Sequence, residues 1–595
     1  EALSAAMPPD IEAVDIGIKF GSAWVPAQVY SDFAEHLHGG KGRQSINYFP
    51  TVGRWEVSVS IWDSSLNTSV WGIPEYPADK IIGALLTNKP IKVEKASGQY
   101  DDNGRPIMVI DQELTAAAMQ KADEIRQAFL DWVWTDDARR DMLTTLYNER
   151  FNTNVPPRYD GSHLELVGAS SEVQLRPHQK DVVWRSIQEG TALFDHVVGA
   201  GKTLACIATV MESKRMGFLS KPMIVVPNHL LHQWRDEFYK LYPDANILVA
   251  DKTDFTKQNR ERLFGRIATG EWDAVIVAHS SFRKIDMPRD VQEEILKEQI
   301  DAVIEAIQAS KEADGGRATI KQLEKQREKM EARYEALLAG NGKKDRSVDF
   351  GDLGVDALFV DESHEFKNLS YATTMNVSGL GNVTGSAKAL DLFIKCRYLQ
   401  REHDGRGVYF MTGTPISNTI AEVYTLQRYM QYKDLQSKGI EHFDAWASTF
   451  GQITNGWELD ATGVNYKMKS RFASFQNVPE LLSMYRTFAD VVTKSDLDEQ
   501  AKRAGLRPLT PPVKGGKPFN DVVERSADQA EYMDRIIQRM EHLPSDPRVD
   551  NPLKITNDAR KAGLDFRLID PAAGDHPGSK INVAVDRIYE IWRDT

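Results

Sequence analysis

The chain has 595 residues, 41% hydrophobic and 27% charged, an ordinary balance for a globular protein long enough for three or four domains. No run approaches 18 apolar residues, so we expect no membrane span, and two cysteines exclude a disulfide scaffold or a structural zinc cluster. The net charge of −13 gives no support to nucleic-acid binding by the whole surface, although a large protein can bind DNA through a local basic groove.

The first residue is Glu1, and no charged-then-apolar leader follows it. We therefore expect a fragment or a processed product. Two cysteines in apolar surroundings are typical of a reducing compartment, so we expect a cytoplasmic location in a bacterial or phage-infected cell.

Residues 1–165 are expected to form an N-terminal α+β accessory domain. Apolar residues from Trp55 to Ile61 alternate with polar ones, which predicts a half-buried strand, and residues 114–150 have a helical pattern. The region is rich in tryptophan. A small core explains these aromatics better than stacking on bases, because large aromatics are most often buried.

Residues 166–435 show a different pattern, in which short apolar runs alternate with helical stretches. Continuous apolar strands separated by helices predict a parallel sheet covered on both faces. The runs are 192–194, 223–226, 247–250, 275–278, 358–360 and 408–411.

A charged helical segment, about 289–345, interrupts this domain and predicts a projecting two-helix hairpin. Its second helix is basic but has interleaved glutamates, which favours a solvated face over a DNA contact. Residues 436–575 are expected to be mainly helical, and 576–595 contain an amphipathic helix.

A phosphate loop follows the first apolar run: Gly199, Ala200, Gly201, Lys202 and Thr203. Glycines let successive N–H groups face phosphate oxygens, the lysine neutralises the β- and γ-phosphates, and the Thr203 hydroxyl is a ligand for Mg²⁺. The full pattern would have glycine at position 196, where this chain has His196.

Two further motifs follow buried runs. Asp361 and Glu362 open an acidic box in which Asp361 is expected to hold Mg²⁺ and Glu362 to orient and deprotonate the attacking water. Thr412 and Thr414 belong to a Thr-Gly-Thr-Pro sequence, whose hydroxyls are expected to hydrogen-bond His364 and couple the ATP site to DNA-contacting elements. Three such motifs in this order indicate an NTP-driven motor.

In order and spacing these motifs resemble those of superfamily 2 helicases, and most of all the Snf2-like translocases, over about residues 165–595. The motifs that carry the resemblance are 175–179, the Gly-Lys-Thr loop, 225–228 with 233–234, 361–364, 412–418, 422–424, 479–481 and 529–533.

The resemblance implies a RecA-like first ATPase lobe at 166–435, a helical Snf2-type region at 436–575, and the truncated start of a second lobe at 576–595. It also implies nucleotide contacts by the motif that holds Arg176 and Gln179, with Gln179 on the adenine edge. Further, it implies a DNA strand gripped by its phosphates through four residues. These are Pro227, Asn228, Ser280 and Ser281.

A narrower group is also similar: large phage and plasmid proteins that join an N6-adenine methylase to a Snf2-like motor. The similar segments are 16–26 and 564–571. This resemblance implies double-stranded DNA, a methylase domain or subunit and the missing second lobe as partners. The implied setting is DNA modification, restriction or anti-restriction.

Two departures from the family pattern bear on activity. Ser363 stands where Snf2 proteins usually have glycine, and no arginine-finger motif appears before the chain stops at Thr595. Arginine fingers contribute on the order of 10³–10⁵ in rate, so we expect this chain to bind Mg-ATP but to hydrolyse it weakly.

Two other functions remain open: a nucleic-acid-binding scaffold whose ATPase has lapsed, and an RNA helicase. Intact Lys202, Asp361 and Glu362 favour a working ATPase over the scaffold. Snf2-like continuity beyond Thr414 favours double-stranded DNA over RNA.

Overall fold

The computed structural model describes most of the chain. The described residues are 8–49, 54–87, 91–100, 106–153, 155, 157–312, 348–371, 373, 375, 377–383, 385–459, 466–505, 517, 519–544 and 549–594, with single positions between 321 and 336. They form two compact units, residues 1–454 with 470–504, and residues 455–469 with 505–595.

Thirteen strands are labelled in chain order. They are β1 Gly42–Phe49, β2 Arg54–Ile61, β3 Glu94–Tyr100, β4 Pro106–Ile110, β5 Thr191–His196, β6 Pro222–Val226, β7 Ile247–Ala250, β8 Ala274–Ala278, β9 Ala357–Asp361, β10 Val408–Thr412, β11 Gly451–Leu459, β12 Tyr466–Phe475 and β13 Ala489–Val492.

Helices connect most of these strands. The α-helices are Ala27–His38, Ala78–Leu86, Gln112–Val133, Asp137–Phe151, Pro177–Glu189, Lys202–Arg215, Leu231–Leu241, Arg260–Thr269, His279–Phe282, Arg289–Glu312, Ala387–Glu402, Ala421–Met430, Tyr432–Ser437, Phe443–Phe450, Val478–Phe488, Lys494–Arg503, Ala527–Glu541, Pro552–Leu564 and Lys580–Asp594. Short helical turns are Ala13–Asp15, Leu66–Val70, Asn228–Leu230, Gly351–Leu353, Ser363–Phe366 and Phe566–Leu568.

A seven-stranded sheet organises the first unit, in the order β13-β5-β10-β9-β6-β8-β7. Every pairing in it is parallel. Strands β6, β8, β9 and β10 are buried at every position, as expected for a sheet covered by helices on both faces. This confirms the predicted α/β, RecA-like fold.

Alternate residues of these strands point into two separate cores. Leu358, Val360 and Phe410 lie in the larger core, whereas Phe359 and Tyr409 lie in the smaller one. The Phe359 and Tyr409 rings stack at 4.2 Å across neighbouring strands. Because side chains alternate along a strand, each of these strands contributes apolar residues to the cores on both faces of the sheet.

The N-terminal region shares the larger core. Strands β1 and β2 pair in antiparallel register, confirming the strand predicted at Trp55–Ile61 and the α+β character of this region. Phe20, Tyr30, Phe33 and Phe129 pack edge to face or stacked, with ring centroids 5.1–5.5 Å apart. The tryptophan-rich region thus builds a core, with Trp24 and Trp55 buried.

The sheet takes its edge strand from residues expected to be helical. Within 436–575, β11 and β12 pair as a hairpin, and β13 pairs with β5 from Ala489↔Leu193 to Val492↔His196. The stretch is thus mixed, since strands interrupt its helices. A four-residue strand that contains Asp490 has no apolar run, so the pattern gave no sign of it.

Part of the expected hairpin at 289–345 lies outside the described residues. Its first helix is Arg289–Glu312, with Leu296, Ile300, Val303 and Ile307 buried along one stripe. The prolines at 508, 511 and 512, a sequence pattern typical of a break between helices, also lie outside the described residues.

The second unit consists mainly of three helices. Ser526 caps Ala527–Glu541, and Asn551 caps Pro552–Leu564. Arg539 joins these helices because it forms ion pairs with Asp550 at 2.8 Å and Asp558 at 3.1 Å. The helix Lys580–Asp594 follows them in the same unit.

Candidate functional site

Three motif loops meet at the carboxyl edge of the sheet. The phosphate loop follows β5, the Thr-Gly-Thr-Pro loop follows β10 and the acidic box follows β9, and these strands are adjacent in the order β5-β10-β9. Ligands of parallel α/β sheets bind outside this edge. Topology therefore brings together three segments that lie far apart in the chain.

The phosphate loop depends on two glycines with left-handed backbone. Gly199 has φ +86° and Gly201 φ +83°, a region that non-glycine residues avoid. A Cβ on Gly201 would lie 2.3 Å from Gln179 Nε2. Helix Lys202–Arg215 begins directly after the loop, so its N-terminal N–H groups face the same space.

Lys202 is placed for an anion. Its ammonium donates to the His196 carbonyl at 2.8 Å, and a Cβ on Gly413 would lie 3.3 Å from its Nζ. Burial lowers the pKa of Lys202, against the opposing charges of Glu362, Asp361 and Asp195. The lysine thus stands among carboxylates and close to the Thr-Gly-Thr-Pro loop.

Asp361 is buried and held by three contacts. Its Oδ2 accepts from Trp234 Nε1 at 3.1 Å, its Oδ1 accepts from the Glu362 N–H at 3.0 Å, and its carbonyl lies 2.9 Å from His279 Nε2. Burial, and next the Glu362 charge, raise the pKa of Asp361 to about 6. A buried carboxylate is suited to holding a cation, whose charge offsets the cost of burial.

Glu362 has a strained backbone. Its φ of +49° and ψ of +47° lie in the left-handed region, although it is not glycine. Such a conformation costs about 1–2 kcal/mol and persists where the surroundings fix it. This left-handed conformation turns the chain sharply from strand β9 into the short helical turn Ser363–Phe366.

A chain of polar contacts joins the acidic box to the Thr-Gly-Thr-Pro loop. His364 Nδ1 lies 3.1 Å from Glu362 Oε2 and 3.1 Å from Thr412 Oγ1. Thr412 Oγ1 also accepts from the Thr414 N–H at 3.1 Å. The expected hydrogen bond between Thr412 and His364 is therefore present.

Gln179 contacts the phosphate loop itself. Its Nε2 donates to the Gly201 carbonyl at 2.9 Å, and its Oε1 accepts from the Arg176 N–H at 2.7 Å. Pro177 starts the helix that carries Gln179. The structure thus brings Gln179 to the loop with both ends of its carboxamide bonded to backbone, whereas Arg176 contacts Gln179 through its backbone N–H and is itself exposed.

The four residues expected at DNA lie in two segments, the helical turn Asn228–Leu230 with Pro227 before it, which follows β6, and the helix His279–Phe282, which follows β8. Asn228 and Ser280 are exposed, and Asn228 Oδ1 accepts from the Ser280 N–H at 3.2 Å. Ser281 is 1% exposed, so the residue as a whole lies below this surface. Half-buried Pro227 precedes Asn228.

The sequence patterns did not assign roles to two residues near this site. Trp234 was part of a motif, but only the fold shows its indole on Asp361. His178 Nε2 lies 2.9 Å from the Ala200 carbonyl of the phosphate loop. Their positions in the sequence could have indicated a role, because His178 lies in the motif 175–179 and Trp234 in the motif 233–234.

The donor set fits a nucleotide with its magnesium ion better than a metal alone. No cluster of three or more His, Cys, Asp or Glu side chains able to hold a metal occurs among the described residues. Half-buried Thr203 and buried Asp361 each offer an oxygen, and phosphate oxygens and waters complete the usual coordination shell of magnesium.

The described part of the chain contains no helix with the length and apolar character needed to span a membrane.

Fold and site together define a RecA-like ATPase lobe of the helicase type. Residues 184–493 match the family model described as "Probable helicase domain", and the chain belongs to this family. A second model, "Domain of unknown function (DUF8437)", matches residues 19–153.

One curated relative is the Defense against restriction protein B of Escherichia phage P1. It is 24% identical over an alignment of 466 residues, and the match covers 71% of this chain and 20% of the phage protein. The chain thus spans about a fifth of that relative's length.

Two solved structures are also similar, both of the Sulfolobus solfataricus SWI2/SNF2 ATPase core. The core in complex with dsDNA has a TM-score of 0.29 at 13% identity, covering 72% of this chain and 66% of that one. The core domain alone has a TM-score of 0.29 at 14% identity, covering 74% and 68%.

Proposed function

We propose that the chain is the ATP-binding part of a motor that moves along double-stranded DNA in an anti-restriction, restriction or modification system. The observation that carries the proposal is the meeting of Lys202, Asp361, Glu362 and Thr412 at one sheet edge. The name of the phage P1 relative supports the anti-restriction setting. We place it in the cytoplasm of a bacterial cell.

Nucleotide binding falls to the phosphate loop. Backbone N–H groups of Gly199, Gly201 and Lys202 cradle the phosphates, and the Lys202 ammonium exchanges its contact with the His196 carbonyl for phosphate oxygen. Thr203 and Asp361 hold Mg²⁺, which when bound supplies positive charge to the phosphates.

Water activation falls to Glu362. This carboxylate lies at the exposed end of the acidic box, 36% exposed, where it can orient a water and take its proton. His364 contacts both Glu362 and Thr412, so movement of the Thr-Gly-Thr-Pro loop alters the hydrogen bonding of the base. This is the proposed coupling of hydrolysis to DNA.

Contact with DNA falls to the segments after β6 and β8. Exposed Asn228 and Ser280 offer their side chains to phosphates, while the Ser280 N–H is donated to Asn228 Oδ1 and holds the two segments together. His279 stands between the two functions, because its ring contacts the Asp361 carbonyl at 2.9 Å while the next residue is Ser280. Further partners, a methylase and a second lobe, are proposals from the family resemblance.

The test is ATP hydrolysis by the chain with duplex DNA, single-stranded DNA or RNA. We expect a low basal rate that duplex DNA raises several-fold, and a loss of about 100-fold or more in Glu362→Gln. Stimulation by RNA alone would favour an RNA helicase. DNA binding without any hydrolysis would favour the scaffold.

A further inference from the structure

Two buried histidines support the phosphate loop from behind. His196 ends β5 and carries the carbonyl that Lys202 contacts, while His178 lies 2.9 Å from the Ala200 carbonyl through Nε2. Their rings meet edge to face at 5.7 Å. His178 therefore contacts the loop backbone directly, whereas His196 supplies the carbonyl that receives the Lys202 ammonium.

Each histidine is in turn held by a residue from much later in the chain. His196 Nε2 lies 2.6 Å from Asp490 Oδ2, and His178 Nδ1 lies 2.8 Å from Gln500 Oε1. Asp490 belongs to the edge strand β13, and Gln500 to the following helix Lys494–Arg503. These partners lie 294 and 322 residues from the histidines that they contact.

Backbone and apolar contacts strengthen the same junction. The Val197 N–H, two residues before the phosphate loop, donates to the Val492 carbonyl at 2.9 Å. Ala200 packs with Val492 and Leu497 in a small separate core. The segment 489–500 thus contacts the loop on several atoms.

The surroundings of His196 determine which group donates in its hydrogen bond with Asp490. His196 is fully buried, its Nδ1 has no hydrogen-bond partner among the described residues, and burial lowers its pKa. A neutral ring then donates through Nε2 to Asp490. Arg185, whose guanidinium lies 3.9 Å from Asp490 Oδ1, donates to the Ala489 and Arg486 carbonyls and fixes the strand that carries the acceptor.

We propose that Asp490 and Gln500 are positioning residues for the nucleotide site, acting through His196 and His178 to hold the phosphate loop in its binding conformation. The proposal rests on the proposed function and adds a consequence. Segment 489–500, which follows the β11–β12 hairpin, contacts the phosphate loop, so nucleotide binding and the placement of this segment are linked. The linkage is reciprocal.

The test is the equilibrium dissociation constant for Mg-ATP, measured by titration calorimetry on the chain and its variants. We expect Gln500→Leu and Asp490→Ala to weaken binding about three- to tenfold, the effect of one lost hydrogen bond. Asp490→Asn keeps an oxygen that accepts from His196 Nε2 and should stay within about twofold of the parent chain. Glu499→Gln, on the exposed side of the same helix, is the matched control and should bind as the parent does.

Lys202→Ala, in the same series, separates the two claims. If Lys202→Ala loses binding while Gln500→Leu and Asp490→Ala both bind as the parent does, the positioning role is wrong and the nucleotide site stands. If the parent chain and Lys202→Ala bind Mg-ATP equally, or not at all, both claims fail. Thermal unfolding without nucleotide monitors folding, and Gln500, which is only half-buried, keeps the test open if Asp490→Ala does not fold.

Discussion

At the scale of single residues, Glu362 combines strain with a function. Its φ of +49° would suit glycine, and its carboxylate is the proposed base. We expect Glu362→Gly to raise the free energy of unfolding by about 0.5–1 kcal/mol while abolishing hydrolysis, because glycine accepts this backbone without cost. Urea unfolding and an ATPase assay measure the two effects. A marked loss of stability would show that the side-chain contact with His364 outweighs the strain.

The second residue-scale prediction concerns Asp361, whose pKa rises to about 6 by burial and the Glu362 charge. An aspartate in the unfolded chain titrates near 3.9. Between these values the folded chain keeps a proton that the unfolded chain has lost. Asp361 therefore makes the fold less stable as pH rises from about 4 to about 6, and its cost is complete above 6.

Asp361→Asn removes this titration. The stability of the variant relative to the parent chain should therefore increase by on the order of 1–3 kcal/mol between pH 4.5 and pH 8. The altered hydrogen bond to Trp234 contributes equally at both pH values and cancels. Urea unfolding at the two pH values measures the difference, and an unchanged difference would contradict a raised pKa.

At the scale of elements, the strands that carry the three motifs were predictable, because each is a continuous apolar run before a polar motif. The edge strand β13 was not, because four residues with a charge among them carry no period. Nor was the role of Asp490 at the phosphate loop visible, since only the sheet order brings β13 beside β5. The sequence pattern thus predicted the strands and motifs of the site, but not the edge strand β13.

The segment 16–26, whose sequence resembles that of the phage and plasmid proteins, packs the N-terminal region against the residues that follow the first lobe. Lys19 Nζ donates to the Ala447 carbonyl at 3.1 Å and to the Gly451 carbonyl at 2.5 Å, and the Ala23 N–H donates to Ser448 Oγ at 3.0 Å. A Cβ on Gly17 would lie 2.3 Å from Asn477 Oδ1. Close approach explains the glycine.

We therefore expect Gly17→Ala to lower the free energy of unfolding by about 1–2 kcal/mol through overpacking against Asn477. Gly83→Ala is the control, since its Cβ would meet nothing within 4 Å, and in a helix it should stabilise slightly. Asn477→Gly should remove most of the Gly17→Ala effect. Equal effects of Gly17→Ala in both backgrounds would show that the docking contact is not the cause.

At the scale of the whole molecule, the first unit joins an N-terminal region of unknown function to a helicase-family lobe through one continuous core. A shared core makes the N-terminal region part of the lobe's fold. The ATPase motifs all belong to this lobe. In the motor that we propose, a second lobe closes over the nucleotide and supplies an arginine finger, so we expect this chain to bind Mg-ATP and to hydrolyse it slowly.

The most direct test of the central claim is equilibrium binding of Mg-ATP to the chain, with Lys202→Ala and Glu362→Gln measured beside it. We predict saturable binding at one site, at least tenfold weaker in Lys202→Ala, since a charge-assisted contact to phosphate is lost, and nearly unchanged in Glu362→Gln. Binding that is absent from the chain, or equal in the chain and Lys202→Ala, would contradict the assignment of this sheet edge as an ATP site.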